Sequence, residues 1–462
     1  MKSELRKDSL SFLESIVMGI AGSAPAYTIA ATTAALIGTA GVLAPGSLLI
    51  FAIPMLGIAL AYKLLNQRMP NAGAAYEWTS HLFGRLTGFL SGWALLVASM
   101  VFMVTGSMPI ATSTLDYVSP HSTNNVVVTT SVATLWFLGI ALVLITGIKL
   151  TSKLQMIMST IELIILGAVG IAAFIHIGVH GAVNAFSWNW FSFDYTPSTF
   201  AESALVVIFF YWGWDVTSNL SEETKKAEKY AGNGGFASVF VTITFYVSFT
   251  LAALFLFSVK DASSLSDNIV YNIAIASGLG RTGGLLASIA VMLSSIATLE
   301  TTMLQFSRTL FAMGRDGAFT RYLGVVDKRT QTPVRAMYVL IILGVATLWG
   351  SSFMPSISAI INDSVNAIGI QVAYYYGLAG IAAAWMMRDS FKISWYRGLA
   401  FSAFPGISGV FLFIMAAYAV TTFGTITNLV GIGGLVIGLV FFRTRRKDTS
   451  TPSQQIISPE SA

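Results

Sequence analysis

The sequence predicts an all-α polytopic membrane protein with twelve transmembrane helices, and three observations carry that expectation. Hydrophobic residues make up 55% of the 462 and charged residues only 10%, with a mean hydropathy of +0.73. A soluble chain of this size needs far more surface charge. The apolar residues gather into runs of the length that crosses a bilayer, about 20 residues each. Threaded alternately through a membrane, these runs leave all but two of the 26 basic residues, Lys260 and Arg281, on one side. That asymmetry predicts an even number of spans with both termini cytoplasmic. Nothing in the chain shows the alternating ten-residue strands of an outer-membrane barrel.

The twelve runs lie at 12–38, 44–65, 82–113, 126–147, 154–176, 199–220, 233–258, 282–312, 334–351, 355–386, 395–420 and 424–442. The first contains Gly22-Ser23-Ala24-Pro25. Pro25 removes a backbone donor and crowds the preceding turn, so a helix break is expected there. The sixth run carries FFYWGWDVTSNLSEET (209–224), with Gly213 and the ionisable Asp215 inside an apolar stretch. Runs one and six open two five-helix halves. Matched interruptions at corresponding positions are the sequence mark of a transporter binding site, because unwound backbone survives at that depth only where it lines a cavity or meets a ligand. The half-helix ends carry partial charges suited to a zwitterion.

Buried carboxylates supply the remaining candidates, since a charge inside a membrane is costly and functional by default. Asp215 has no basic residue between 199 and 224 to neutralise it. Glu162 sits in the fifth run, about 13 Å along the helix from Lys153. It reads as a carrier of the coupling proton. The competing reading is a cation site, with Ser294 and Ser295 of the eighth run adding hydroxyl ligands. Glu300 reads first as a structural partner of Arg308, or of Thr301 and Thr302. Glu222 and Glu223 read as solvated charge at a membrane exit. Tyr374, Tyr375 and Tyr376 either line a pocket or pack.

Several classes are excluded. The chain has no cysteine, hence no disulfide, thiolate metal site or cysteine nucleophile. His81, His121, His176 and His180 fall at helix ends or in loops, so no metal or other cofactor is expected. No nucleophile–base pair marks an enzyme, no repeated filter a channel, and no P-loop an ATP-driven pump. The formal charge of +5 reports topology and contact with lipid headgroups rather than nucleic acid. The first apolar run is too long for a cleavable signal.

Three segments together resemble the amino acid–polyamine–organocation (APC) superfamily of secondary transporters. They are PNAGAAYEWTSHLFGRLTGFLSGW (70–93), SRTLFAMGRDGAFTRYLGVVDKRTQTP (307–333) and the 209–224 stretch, in the family's order. Ala74 stands where the family has a glycine. The G-W-D…L-S-E-E-T pattern is similar to bacterial amino acid permeases and putrescine importers. The resemblance implies a LeuT-like core over 1–392, built as inverted repeats over 12–176 and 199–386. Two peripheral helices would follow at 393–444 and a disordered cytoplasmic tail at 445–462. It implies substrate contacts at Gly22, Ser23 and Ala24, where Ala24 replaces a third glycine. It implies further contacts at Phe209, Gly213, Trp214 and Asp215. In some proton-coupled relatives a lysine stands at the position of Glu162, where it replaces a sodium ion.

The expected function is therefore import of an amino acid or related amine with a proton, by alternating access, at the cell (inner) membrane. Asp215 shares the coupling role with Glu162, and sodium is the second choice of ion. Polyamine import and amino acid exchange are the alternatives, with a transporter-like nutrient sensor more distant. The expected partners are the small-molecule substrate and membrane lipid.

Overall fold

The computed structural model describes residues 4–123, 125–265, 268–354 and 356–442. The tail expected over 445–462 lies outside the described residues. Within them the secondary structure is helical apart from a single bridge between Leu10 and Thr224. The first half comprises α1 (Phe12–Ser23), α2 (Pro25–Ala40), α3 (Ala44–Arg68), α4 (Ala75–Phe83), α5 (Arg85–Val118), α6 (Val126–Ile145) and α7 (Ile148–His180). Then come α8 (Pro197–Phe210), α9 (Val216–Asn219), α10 (Ala227–Leu256), α11 (Val259–Ser264), α12 (Ile269–Ala274), α13 (Gly280–Arg315), α14 (Val334–Ser351) and α15 (Ile357–Met386). The chain ends in α16 (Ser390–Ile393), α17 (Trp395–Gly398), α18 (Phe404–Thr422), α19 (Thr425–Asn428) and α20 (Gly434–Phe441).

Among the described residues, nine helical segments are long and apolar enough to cross a membrane. One of them, Phe12–Arg68, contains the first two expected runs, and the sixth and twelfth appear as the shorter apolar helices Pro197–Phe210 and Thr425–Phe441. Single π turns at Leu399–Ala403 and Leu429–Gly433 join α17 to α18 and α19 to α20.

Local chemistry explains where the helices start and stop. Ser11 and Glu14 form a reciprocal capping box at the head of α1, satisfying two N–H groups that have no intrahelical partner. At the other end Ala24 adopts a left-handed conformation (φ 47°, ψ 70°), and Pro25 begins α2 at the one place where a missing N–H costs nothing. Asn125 caps α6 through its side-chain oxygen, and Thr196 followed by Pro197 starts α8 in the same manner.

Small residues bring the helices together. Gly377 of α15 and Gly409 of α18 lie backbone against backbone, and Gly232 of α10 lies against the Lys63 backbone of α3. In lipid, where burial of apolar surface does not itself drive association, close approach of this kind supplies the dispersion energy. α7 shows the outcome on one helix. Ile157, Ile161, Ile164 and Ile171 face outward, whereas Ser152, Gln155, Ser159 and Glu162 are buried.

Candidate functional site

The site begins where the two helix breaks meet. α8 stops at Phe210, and the chain passes through Tyr211, Trp212, Gly213 and Trp214 before α9. Gly213 has a φ of +100°, a conformation open to glycine and strained for other residues. A Cβ on Gly213 would overlap the carbonyl oxygen of Gly22, and a Cβ on Gly22 would overlap that of Gly213. The two glycines predicted from separate interruptions are thus one backbone-to-backbone contact.

The carbonyls freed at the first break are held by side chains from other helices. Thr298 of α13 donates its hydroxyl to the Gly22 carbonyl at 2.8 Å. Tyr246 of α10 and Thr28 of α2 donate to the Ser23 carbonyl, each at 2.8 Å. The Ala24 carbonyl accepts the Thr28 N–H. Backbone groups that water would satisfy in a soluble protein are satisfied here from within.

The N–H groups at the start of α2 are taken by the carboxylate identified in the fifth run. Ala26 donates to Glu162 Oε1 at 2.9 Å, and Ser294 donates its hydroxyl to the same oxygen at 2.7 Å. The Tyr27 N–H in turn donates to Ser294 Oγ at 3.1 Å. A carboxyl group therefore sits at the positive end of a half-helix, where the aligned peptide dipoles favour negative charge. Glu162 is fully buried and its Oε2 has no protein partner. Ser295, offered with Ser294 as a cation ligand, instead donates to the Val291 carbonyl of its own helix.

Asp215 is enclosed differently. Its Oδ1 accepts from Tyr376 at 2.9 Å, and its Oδ2 accepts from Gln305 at 2.6 Å and Tyr375 at 3.2 Å. Trp212 donates its indole N–H to the Tyr375 hydroxyl at 2.6 Å. Trp214 packs edge-on to Tyr62 and beside Tyr376, and Phe209 lies against Trp212. Tyr375 and Tyr376 were expected either to line or to pack, and here they bind the carboxylate. Gln305, Tyr246 and Thr298 were not anticipated. Gln305 left a signal, being an amide inside the eighth apolar run; Tyr246, in an aromatic run, left none.

Two expectations are corrected. Arg308 pairs with Glu223 rather than Glu300, through bonds of 3.0 and 2.9 Å, and both side chains are fully buried. Glu223 is therefore no solvated charge: the loop carrying it folds back, with Ser9 and Leu10 donating backbone N–H groups to its carbonyl. Glu222 also has a partner, Arg315 at 3.0 Å, and accepts the Ala72 N–H. Nearby, Glu77 hydrogen-bonds Asp316. Burial, then the Asp316 charge, pushes the Glu77 carboxyl up to about 7, and burial also raises that of Asp316.

A separate cavity of about 480 Å³ opens between α7 and α10, lined by Leu166, Gly170, Phe174 and Phe249 among others. Outward-facing residues of α7 rim it, with Ile171 65% exposed, so it faces the lipid side rather than the breaks. Among the described residues, no group of three or more His, Cys, Asp or Glu side chains gathers as metal ligands.

This architecture agrees with what the chain resembles. A family model described as amino acid permease matches residues 10–457. The low-affinity putrescine importer PlaP of Escherichia coli (strain K12) is 25% identical over 405 residues, covering 84% of this chain and 83% of that protein. The branched-chain amino acid permease BcaP of Lactococcus lactis subsp. cremoris is 25% identical over 347 residues, 70% of each chain. Asc-type amino acid transporter 1 of Mus musculus is 24% identical over 286 residues, 61% of this chain and 53% of that protein. All three are named as importers, permeases or transporters, not enzymes, and the chain described here belongs to the amino acid permease family.

Proposed function

We propose that the protein imports an amino acid or a related amine together with a proton, by alternating access about the paired breaks at Gly22 and Gly213. In this reading the twelve apolar helices form a LeuT-like pair of five-helix inverted repeats plus two peripheral helices, with both termini in the cytoplasm of a cell carrying the protein in its inner membrane. Substrate contacts Gly22, Ser23 and Ala24 on one side and Phe209, Gly213, Trp214 and Asp215 on the other. The observation that carries the reading is Glu162. A single acid, one oxygen bound by Ala26 N–H and Ser294 and the other unpartnered, ties the broken helix to α7 and α13. Gaining or losing one proton there changes the charge at the half-helix N-terminus, and so changes how firmly the three elements hold together. Asp215, bound by three neutral donors, adjusts the second break to the substrate.

The test is uptake of labelled amino acids and polyamines into proteoliposomes, with and without an inward proton gradient. Gradient-driven accumulation of an amino acid supports the reading; Glu162→Gln then abolishes the pH dependence of uptake. If that variant kept the wild-type pH profile, Glu162 would not be the coupling group. Polyamine import is the second reading, favoured by the extent of the match to a putrescine importer and by two buried carboxylates without a cationic partner among their hydrogen bonds. The same panel separates the two. Counterflow without gradient-driven accumulation would point to an exchanger.

A further inference from the structure

Glu162 lies deep in the bundle, and the proton it carries needs a way out. α7 offers a single polar face for it. Ser152, Gln155, Ser159 and Glu162 recur at spacings of three and four, which stacks them along one side of a helix. All four are buried, at 3%, 0%, 1% and 0% exposure, while the opposite face is lipid-exposed isoleucine. The file runs about 10 Å from Glu162 to Gln155.

α13 supplies the facing wall. It runs antiparallel to α7, so Ser294 meets Glu162 while, nearer the proposed cytoplasmic end, Gln155 donates to the Ala297 carbonyl at 2.8 Å. Gln155 also faces Glu300, a carboxyl 2% exposed to which no role has so far been given. Four oxygens along this course have no protein partner: Glu162 Oε2, Ser159 Oγ, Gln155 Oε1 and Glu300 Oε2. Buried polar atoms are rarely left so, and here one oxygen of each carboxyl and two polar oxygens between them follow one another along the same helix faces. At the far end Ser152 donates to Glu14 Oε1 at 3.4 Å, and Glu14 belongs to the capping box at the partly exposed head of α1.

Resting on the proton-coupled reading above, we propose that Glu300 is the relay carboxylate through which the proton leaves Glu162 for the cytoplasm. The Glu162 acid gives up its proton along the Ser159 hydroxyl and intervening water to the Glu300 carboxylate. Glu300 then releases it to water at the Ser152–Glu14 end. No electron moves, and one proton is passed at each step. Gln155 is a positioning residue that orients Glu300. On α7 itself the charges near the file are Lys149 and Lys153, which flank Ser152 and are both exposed. α1 carries only Glu14, and α6 carries no ionisable side chain. Arg85 and Asp116 lie at the ends of α5 and Arg335 in the first turn of α14; Glu228 and Lys229 lie in the first turn of α10. Further along α13, Arg308 is held by Glu223, and Asp215 is held by Gln305.

The experiment compares two fluxes of Glu300→Gln in proteoliposomes: gradient-driven net uptake, which must discharge the proton on every cycle, and substrate counterflow, which need not. The expected result is net uptake slowed about tenfold, the range of a lost proton-transfer group, with counterflow within about twofold of wild type and a larger slowing in D₂O. Equal net uptake in variant and wild type overturns the relay and leaves proton coupling intact. Wild type indifferent to the gradient overturns the coupled reading and the relay with it. If Glu300→Gln loses counterflow too, Ser159→Ala, which keeps both carboxyls, decides. Net uptake reduced about threefold with unchanged counterflow supports the route, and unchanged net uptake overturns it.

Discussion

The carboxylates beside the two helix breaks and those of the 221–224 turn are held in opposite ways. Asp215 accepts from two tyrosines and a glutamine, and Glu162 from a backbone N–H and a serine. None of these donors carries a charge. In the 221–224 turn, buried Glu223 is clasped by Arg308 and partly exposed Glu222 by Arg315. Removing either member of the Arg308–Glu223 pair would leave a lone buried charge, so the two are tied to one another. A carboxylate among neutral donors has no such tie and can exchange a proton or meet a cationic group. Under the proposed function, the difference separates groups that would change state from groups that would hold the bundle shut.

The sharpest way to break this comparison is at the locked end. Arg308→Ala leaves Glu223 buried and unpaired, a change that costs about 3–5 kcal/mol, and should give a large loss of thermal stability in detergent. Arg308→Met combined with Glu223→Met removes both charges and should recover most of it. A double variant no better than the single would mean that the loop at 221–224 needs its charges for more than closure. Next in size is Gly213→Ala. It forces a side chain into a positive φ and against the Gly22 carbonyl, a strain of about 2–3 kcal/mol. Transport should be lost even where the protein still folds. An active Gly213→Ala protein would show that the breaks need not touch during the cycle.

The same contrast explains what could be read beforehand. The breaks were legible because glycine, proline and polar residues inside an apolar run are a compositional signal that needs no partner. Glu162 and Asp215 were legible for a related reason: a lone carboxylate in such a run is conspicuous. The Arg308–Glu223 pair was not, since its members lie 85 residues apart and each looks like an ordinary charge at a helix end. Ser294 and Ser295 show a finer limit. Adjacent residues on an α-helix point about 100° apart, so only one can face Glu162, and the sequence does not reveal the rotation of α13. Glu300 was assigned to the right helix and the wrong neighbour for that reason. The all-helical, membrane-spanning character and the two breaks were readable; the pairing of side chains across helices was not.

A smaller effect is expected from Asp215→Asn. The side chain keeps its volume, and the Tyr375 and Tyr376 hydroxyls can turn to accept from an amide. Gln305, however, then faces an uncharged partner that supplies one acceptor oxygen instead of two. Stability should fall by about 1–2 kcal/mol, the cost of weakened buried hydrogen bonds. Substrate uptake should fall by about tenfold or more if the charge is read by the substrate. Should Asp215→Asn transport at the wild-type rate, Asp215 is a structural acceptor, and the division between a changeable centre and a fixed face has to be redrawn around Glu162 alone.

The last prediction concerns Glu77, a carboxyl near Glu222 that is held differently from it. It lies on α4, half-buried against Asp316. Arg315 is bound to Glu222 and Asn71 and also lies 3.7 Å from Asp316, and burial together with the Asp316 charge outweighs it to push the Glu77 carboxyl up to about 7 from an ordinary 4.5. A raised carboxyl favours the closed arrangement while protonated. Its contribution is complete below about 4.5 and is lost as the pH rises through about 7. The chain has no cysteine, so Ala72→Cys, at a buried position whose N–H binds Glu222, reports opening by its reaction with a thiol reagent. The reagent's own response to thiolate formation is removed by reference to a free thiol peptide. After that correction, labelling should rise about threefold to tenfold between pH 6 and pH 8, and Glu77→Gln, which cannot ionise, should hold it at the low-pH value throughout. A labelling rate that does not vary with pH would place Glu77 with Glu222 and Glu223, as part of a face that stays closed until the substrate site itself rearranges.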